Sequence, residues 1–314
     1  MYKYIVRRLL MLIPVLLGAT FIVFFIMDLS PEDPALIILG SDATPEAVSQ
    51  LHAQLGLDKP LLERYAIFIM NLLKGDLGKS YKNNLDVMSQ ILAKLPNTIL
   101  LAFTGVVIAV LVGIPVGILS AKKQYSLFDN IAMVFTLVLA ASPAFWFGLM
   151  LVIIFSLNLR WFPSAGMGSG FFNSMKSLVL PAITLCGSTA ALIARTTRSS
   201  MLEVIHQDYI DTARAKGVNE SKITFRHELK NALIPIVTVI GLQFGVLLGG
   251  SVMTESVFSW PGIGRFVVEA IKSKDIPNVL GSVVMLSILF TIINLMVDIL
   301  YAFIDPRIKS QYKH

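Results

Sequence analysis

TILLAFTGVVIAVLVGIPVGIL, residues 98–119, carries no charged side chain, and its only polar ones are Thr98 and Thr104. As a helix rising about 1.5 Å per residue it covers about 33 Å, enough to cross the ~30 Å hydrocarbon core of a bilayer. Five other runs share its character: Leu9–Met27, Ile131–Leu157, Ser177–Ala194, Ala232–Met253 and Val279–Ile304. None holds Lys or Arg, and only the last holds an acid, Asp298. The whole chain of 314 residues is 55% apolar and 15% charged, with a mean hydropathy of +0.73. A soluble domain carries roughly a quarter charged residues. The pattern predicts an all-α polytopic membrane protein with six transmembrane helices. An N-terminal signal peptide is the alternative for the first run, where Lys3, Arg7 and Arg8 precede it. The run is longer than an ordinary signal core, and no small-residue cleavage pattern follows it. A retained span fits better.

Charge in the connections sets the expected orientation. The N-terminus, residues 120–130, residues 195–231 and the C-terminal tail hold 15 Lys and Arg against 7 Asp and Glu. Residues 28–97, 158–176 and 254–278 hold 11 against 12. Basic residues near span ends mark the cytoplasmic side, so both termini are expected inside. The net charge of +6 is then explained by basic cytoplasmic loops and calls for no nucleic-acid partner. On this division residues 1–97 form an N-terminal span with a long extracytoplasmic loop, and residues 98–308 form a five-helix core containing the cytoplasmic loop 195–231.

The outer loop reads as helical pieces. Thr44-Pro45 supplies a cap and a first-turn proline before EAVSQLHAQL, and Gly56 ends that piece. Leu61, Leu62, Tyr65, Phe68, Ile69, Leu72 and Leu73 then form one helical stripe, suited to lying on the bilayer or to packing on other outer segments. GDLGKS, 75–80, resembles a nucleotide-binding loop only superficially. Two residues, not four, separate Gly75 from Gly78, too few for backbone amides to wrap a phosphate; it reads as a turn. Gly113, Pro115, Gly117, Pro143 and Pro181 interrupt the spans and predict kinks.

Catalytic machinery is not visible. His52, His206, His227 and His314 all lie outside the apolar runs, and none sits at metal-ligand spacing, so no metal site is expected. Cys186 is the single cysteine, which excludes an internal disulfide. An intramembrane hydrolase needs a nucleophile and a base within reach, and the runs hold neither His nor Lys. An ion-coupled carrier places ionisable groups near the midplane. Asp298 lies six residues from Ile304, about 9 Å from the inner end of its run, and reads as a structural intramembrane acid. The chain is expected to be non-catalytic, to bind no cofactor, and to draw its energy from another chain.

DYIDTARAKGVNESKITFRHELKNALIP, 208–235, is a charged segment between apolar runs. It predicts two short helices hinged at Gly217, which takes positive φ without steric cost. Such a projection suits either a groove in a soluble partner or the lipid headgroups.

The same segment resembles the EAA loop of ABC-importer permeases. Asp211-Thr212-Ala213 stand for Glu-Ala-Ala, Gly217 falls on the motif glycine, and Leu229 matches, while His227 and Lys230 depart from Ile and Pro. The departures are those of the dipeptide, oligopeptide and nickel branch. KLPNTILL (94–101), SPAFWFGL (142–149), WFPSAG (161–166), VFSWPGIGR (257–265) and VDILYAFIDPRI (297–308) also resemble that branch. The resemblance covers nearly the whole chain. It implies a type I ABC importer permease fold in a bacterial or archaeal cytoplasmic membrane. The implied partners are a second homologous permease, two cytoplasmic ATPase subunits that carry ATP and magnesium, an extracytoplasmic substrate-binding protein, and membrane lipid. It implies ATPase docking through Asp208, Asp211, Thr212, Ala213, Arg214, Lys216, Gly217 and Glu220. Here Gly217 sets the hinge, Ala213 permits close approach, and Asp211, Arg214, Lys216 and Glu220 act as polar anchors. Phe258, Trp260, Pro261 and Gly262 are expected at an outer gate or binding-protein contact, with a headgroup anchor as the alternative for Trp260. Short peptides are the expected cargo, with nickel chelates or glutathione-like compounds as alternatives.

Overall fold

The computed structural model describes residues 2–29, 33–40 and 43–304, apart from the side chains at 2–5, 7, 9, 250, 298 and 300–304. Among the described residues every regular element is helical, and the only β pairing is an isolated bridge between Lys79 and Asp86. Among the described residues five helices are long and apolar enough to cross a membrane, and there are six spans if one pair bent by 108° is taken as a single broken span. The chain forms two compact units, Tyr2–Thr98 with Pro261–Ile292, and Ile99–Trp260 with the chain from Ile293 onward.

In the first of these units α1 (Tyr2–Asp28) is the opening span. Three short helices follow: α2 (Pro34–Leu39), α3 (Pro45–Leu55) and α4 (Leu61–Leu73). Thr44 caps α3 by accepting from the Ala47 amide, and Gly56 ends it at φ 65°, as its sequence predicts. The stripe on α4 packs rather than floats. Tyr65 Oη donates to the Leu17 carbonyl at 2.8 Å, and its ring meets Phe21 and Phe24 edge-on. Arg64 binds Asp28 at 2.6 Å, and Leu61 and Phe68 join the same cluster. Leu62 and Leu73 stay exposed, so the stripe is wider than the contact it makes. Residues 75–80 form a turn, with Gly75 and Gly78 both at φ 80° and the Gly78 amide bound to Asp76 Oδ1 at 2.8 Å. Beyond it, α12 (Ile263–Lys272) and the start of α13 (Ile276–Ile304) complete the unit. Asp275 ties them to the loop, accepting from Ser80 Oγ, the Tyr81 amide and Asn278 Nδ2. Burial raises the pKa of the neighbouring Tyr81 phenol.

The second unit is built around α8 (Phe171–Ile205). The 18 residues of its most apolar window are 78% buried, against 17% for α1. Packed on it are α6 (Leu127–Ala141), α7 (Ala144–Leu151) and α11 (Leu229–Val257). The C-terminal part of α5 (Val87–Lys122) approaches closely through glycine. A Cβ on Gly117 would lie 2.5 Å from Thr197 Cβ and 2.6 Å from the Ala194 carbonyl oxygen; one on Gly113 would lie 2.9 Å from the Ala190 oxygen. Small residues at such points let membrane helices meet backbone to backbone. At the start of α6, Asp129 is 1% exposed and takes a two-pronged bond from Arg198 of α8, 2.7 Å on each side.

The run Ile131–Leu157 departs from expectation. It is not one kinked helix: α6 and α7 meet at a 108° bend. Proline crowds the residue before it out of the helical region, and Ser142, with ψ 130°, is extended. Pro143 then heads α7, which widens into a π-helical stretch, Val152–Asn158. Pro14, Pro181 and Pro235 lie inside α1, α8 and α11 without ending them.

A side chain at Gly117 has only backbone and a β-branched neighbour to displace. Gly117→Leu is expected to destabilise the purified protein by about 1–3 kcal/mol, the usual cost of overpacking. Gly18→Leu, whose Cβ meets nothing within 4 Å, leaves the thermal unfolding temperature near that of the unaltered chain.

Candidate functional site

The charged segment after α8 folds as a hairpin. Its first arm, α9 (Asp208–Ala215), has Asp208 and Asp211 in the first turn and Arg214 in the last, the distribution that complements the helix dipole. Ile210 is fully buried while Asp208, Asp211 and Thr212 face outward. The arm ends through two backbone bonds, Gly217 N to Arg214 O at 2.9 Å and Val218 N to Ala213 O at 3.2 Å. This pattern requires a left-handed residue between them, and Gly217 supplies it at φ 74°. Asn219 then caps the second arm, accepting from the Ser221 amide at 2.8 Å.

The second arm is not a separate helix, as the sequence suggested. α10 (Glu220–Lys222) passes into a π-helical stretch, Ile223–Glu228, and that into α11. One continuous helix, Glu220–Gly249, therefore runs from the hairpin into a membrane span. Tyr209 Oη accepts from Asn231 Nδ2 at 3.1 Å, joining α9 to this helix.

Three of the expected polar anchors bind one another. Arg214 Nε bonds Glu220 Oε1 at 2.9 Å, Nη1 bonds Asp211 Oδ1 at 3.2 Å, and Nη2 reaches Glu228 Oε1 at 3.4 Å. Glu220 contributes most to raising the guanidinium pKa above its ordinary value. Glu228 is fully buried, and its Oε2 has no partner. Sequence reading missed its role because it is fourteen residues from Arg214 and reaches it only through the Gly217 turn. Thr212 Oγ1 turns back on the Asp208 carbonyl at 3.0 Å. Ala213 is half-buried, and Asp208 and Lys216 are exposed.

The aromatic turn after α11 is packed, not displayed. Trp260 is fully buried among Leu101, Leu178, Ala182, Leu185 and Leu247, which excludes a headgroup anchor. Phe258 is 2% exposed and its carbonyl accepts from the Gly166 amide at 2.8 Å. Pro261 belongs to the other compact unit, where its carbonyl accepts from Asn97 Nδ2 at 3.0 Å; beside it Thr98 Oγ1 takes the Ile263 amide at 2.8 Å. Gly262 caps α12 in extended geometry. The amphipathic α12 was not anticipated, although Ile263, Phe266, Val267 and Ala270 hold helical spacing. Asp298 lies on α13, and its side chain is outside the described residues.

The fold is that of the membrane component of an ABC transporter. Over 69% of this chain and 97% of the other, it is similar to a chain of the MetNI methionine ABC transporter in an inward-facing conformation, with a TM-score of 0.56 and 19% identity. Residues 113–310 match the model of the binding-protein-dependent transport system inner membrane component, and residues 1–102 match that of its N-terminal part. The chain belongs to this family. Among its relatives are the dipeptide transport system permease protein DppB of Alkalihalophilus pseudofirmus and the oligopeptide transport system permease protein AppB of Bacillus subtilis. They are 44% and 40% identical, each covering 98% of this chain and 100% of the relative. The glutathione transport system permease protein GsiC of Escherichia coli is 40% identical over 98% of this chain and 99% of its own length. This is a non-catalytic permease subunit of an ABC importer, a multi-pass membrane protein that works with a partner permease, separate ATPase subunits and a substrate-binding protein.

Arg214 is therefore a staple across the hairpin. Arg214→Ala leaves the buried Glu228 carboxylate without its donor, at a cost of about 1–3 kcal/mol. Amide hydrogen exchange in α9 is expected to quicken about tenfold or more. Arg214→Lys does not restore protection, because a single ammonium cannot present the guanidinium's fixed fork of donors.

Proposed function

We propose that this chain and a second permease form the pathway for di- and oligopeptides handed over by an extracytoplasmic binding protein, and that α9 docks on a cytoplasmic ATPase. The observation that carries the docking role is the hairpin's construction. Its α9 arm leaves Asp208 exposed, with Lys216 exposed just past its end, while its other arm is the lower end of a membrane-spanning helix. A push on α9 from ATPases closing around ATP and magnesium passes through the Arg214 cluster and the Tyr209–Asn231 bond to α11. Alternating access follows if the spans rest differently in the two ATPase states; coupling needs such differential contact. The excess of Lys and Arg in the connections supports a cytoplasmic position for the hairpin and both termini. Gly217 acts by shape rather than as a loose hinge, and Ala213 serves the turn through its carbonyl. Asp211, Arg214 and Glu220 hold the hairpin's form, which leaves Asp208 and Lys216 for the partner.

Peptide cargo is supported by the relatives at 44% and 40% identity. The similarly placed glutathione permease keeps a tripeptide thiol as the second reading. The test is uptake by the complete importer in proteoliposomes, with labelled di- and tripeptides competed by glutathione and by nickel. Peptide uptake blocked by unlabelled peptide, and not by nickel, supports the proposal; uptake competed only by glutathione overturns the peptide assignment. For the hairpin, Gly217→Val is expected to cut ATP-driven uptake at least tenfold while leaving ATP hydrolysis by the ATPases intact. Gly217→Asn, which tolerates positive φ, stays within about threefold of the unaltered importer. Equal loss in both variants would argue against a purely conformational role.

A further inference from the structure

The helix that leaves the hairpin carries two parallel rows on its outer side. Lys222, Arg226 and Lys230 recur every four residues, and Phe225, Leu229 and Leu233 run beside them. Together with Asn219 and Ser221 they line one shallow groove. The opposite side of the same helix is buried through Ile223, Thr224, Glu228, Ala232 and Ile236. Phe225 is 64% exposed. Among the described residues none of the three cations makes an ion pair, whereas Arg214 across the hairpin engages three carboxylates.

The position of the rows along the helix identifies what they meet. This helix is continuous from Glu220 into a span, and its uncharged stretch begins at Asn231-Ala232. At about 1.5 Å per residue, Lys230 lies about 3 Å below Ala232, Arg226 about 9 Å and Lys222 about 15 Å. The headgroup layer on each side of a bilayer is about 5–8 Å deep, and charges act over a screening length of about 8–10 Å beyond it. On that scale Lys230 falls within the headgroup layer, Arg226 falls just past its outer edge with a side chain long enough to reach back to a phosphate, and Lys222 is within electrostatic reach. At its upper end the groove runs into Leu233 and the exposed Ile234, where hydrocarbon is the neighbour.

We propose that this groove binds an anionic phospholipid, with Lys230 and Arg226 on the phosphate and Leu229 and Leu233 along the upper acyl chain. Phe225 wedges at the interface, where aromatic rings are favoured, and Lys222 adds long-range attraction. A lipid fits better than an acidic peptide because the groove opens upward into the apolar part of the span. The bound lipid holds the lower end of α11 at a fixed depth. The site is independent of the transported solute.

The test uses the complete importer, purified with its ATPases, exchanged into nanodiscs of equal phosphatidylcholine and phosphatidylglycerol, and then delipidated. Lipids that remain are counted by native mass spectrometry, which also reports subunit content. The intact importer is expected to retain phosphatidylglycerol over phosphatidylcholine. Each basic residue at an anionic surface contributes roughly fivefold, so Lys222→Gln with Arg226→Gln and Lys230→Gln should lower that preference tenfold or more. Arg226→Gln alone should give a partial loss, and a control with Lys74, Lys79 and Lys82 changed to Gln no loss. An unchanged preference in the triple variant overturns the proposal. Loss of ATPase subunits from the triple variant with lipid preference intact overturns it too, and makes the groove a protein-docking surface. An intact importer that holds no ATPase at all counts against the transport reading, not against the lipid site.

Discussion

The structure depends on how closely two backbones can lie. Hydrocarbon gives no hydrophobic reward for bringing apolar helices together, so packing and polar contacts must hold them. In this chain the approach is made where Gly113 and Gly117 of α5 meet Ala190, Ile193, Ala194 and Thr197 of α8. With α5 seated there and α6, α7 and α11 arranged on α8, the central helix is covered along most of its length. Its lower end then serves as a fixed post. Arg198 holds the start of α6 through Asp129, and three residues beyond the end of α8 the chain turns into α9.

Three buried carboxylates in this setting have a job that burial makes expensive to leave undone. Asp129 is paired, Asp275 is met by three donors, and the buried Glu228 is reached by Arg214. A carboxylate shut away from water is costly unless satisfied, so these contacts fix positions that apolar packing alone leaves loose. The hairpin follows the same rule at its tip, where the freed amides of Gly217 and Val218 find the last carbonyls of α9. ATP hydrolysis lies in other subunits, and this chain carries a hairpin one arm of which continues into a membrane span.

Much of this was legible in the residues. The six apolar runs, the cap at Thr44, the turn at Gly75–Gly78 and the reversal at Gly217 are local properties, and local chemistry states them. The bend at Ser142-Pro143 was within reach, since proline restricts the residue before it, but the unbroken apolar run concealed it. Contacts that cross the fold were not legible. Nothing near Glu228 announces Arg214 as its donor, and nothing near Trp260 says that five aliphatic residues from three other helices enclose it. Such pairings depend on tertiary distances that hydrophobic periodicity does not encode.

The π-helical stretch at Ile223–Glu228 has a geometric consequence. A π bulge amounts to one residue inserted into an α-helix, and each α-helical residue turns the chain by about 100°. The azimuth of the hairpin about the span axis is thus governed by a single position, much as a shim sets the angle of a crank. Shortening the chain by one residue there would turn the hairpin away from Asn231 and give up the bond to Tyr209 that now joins it to the span.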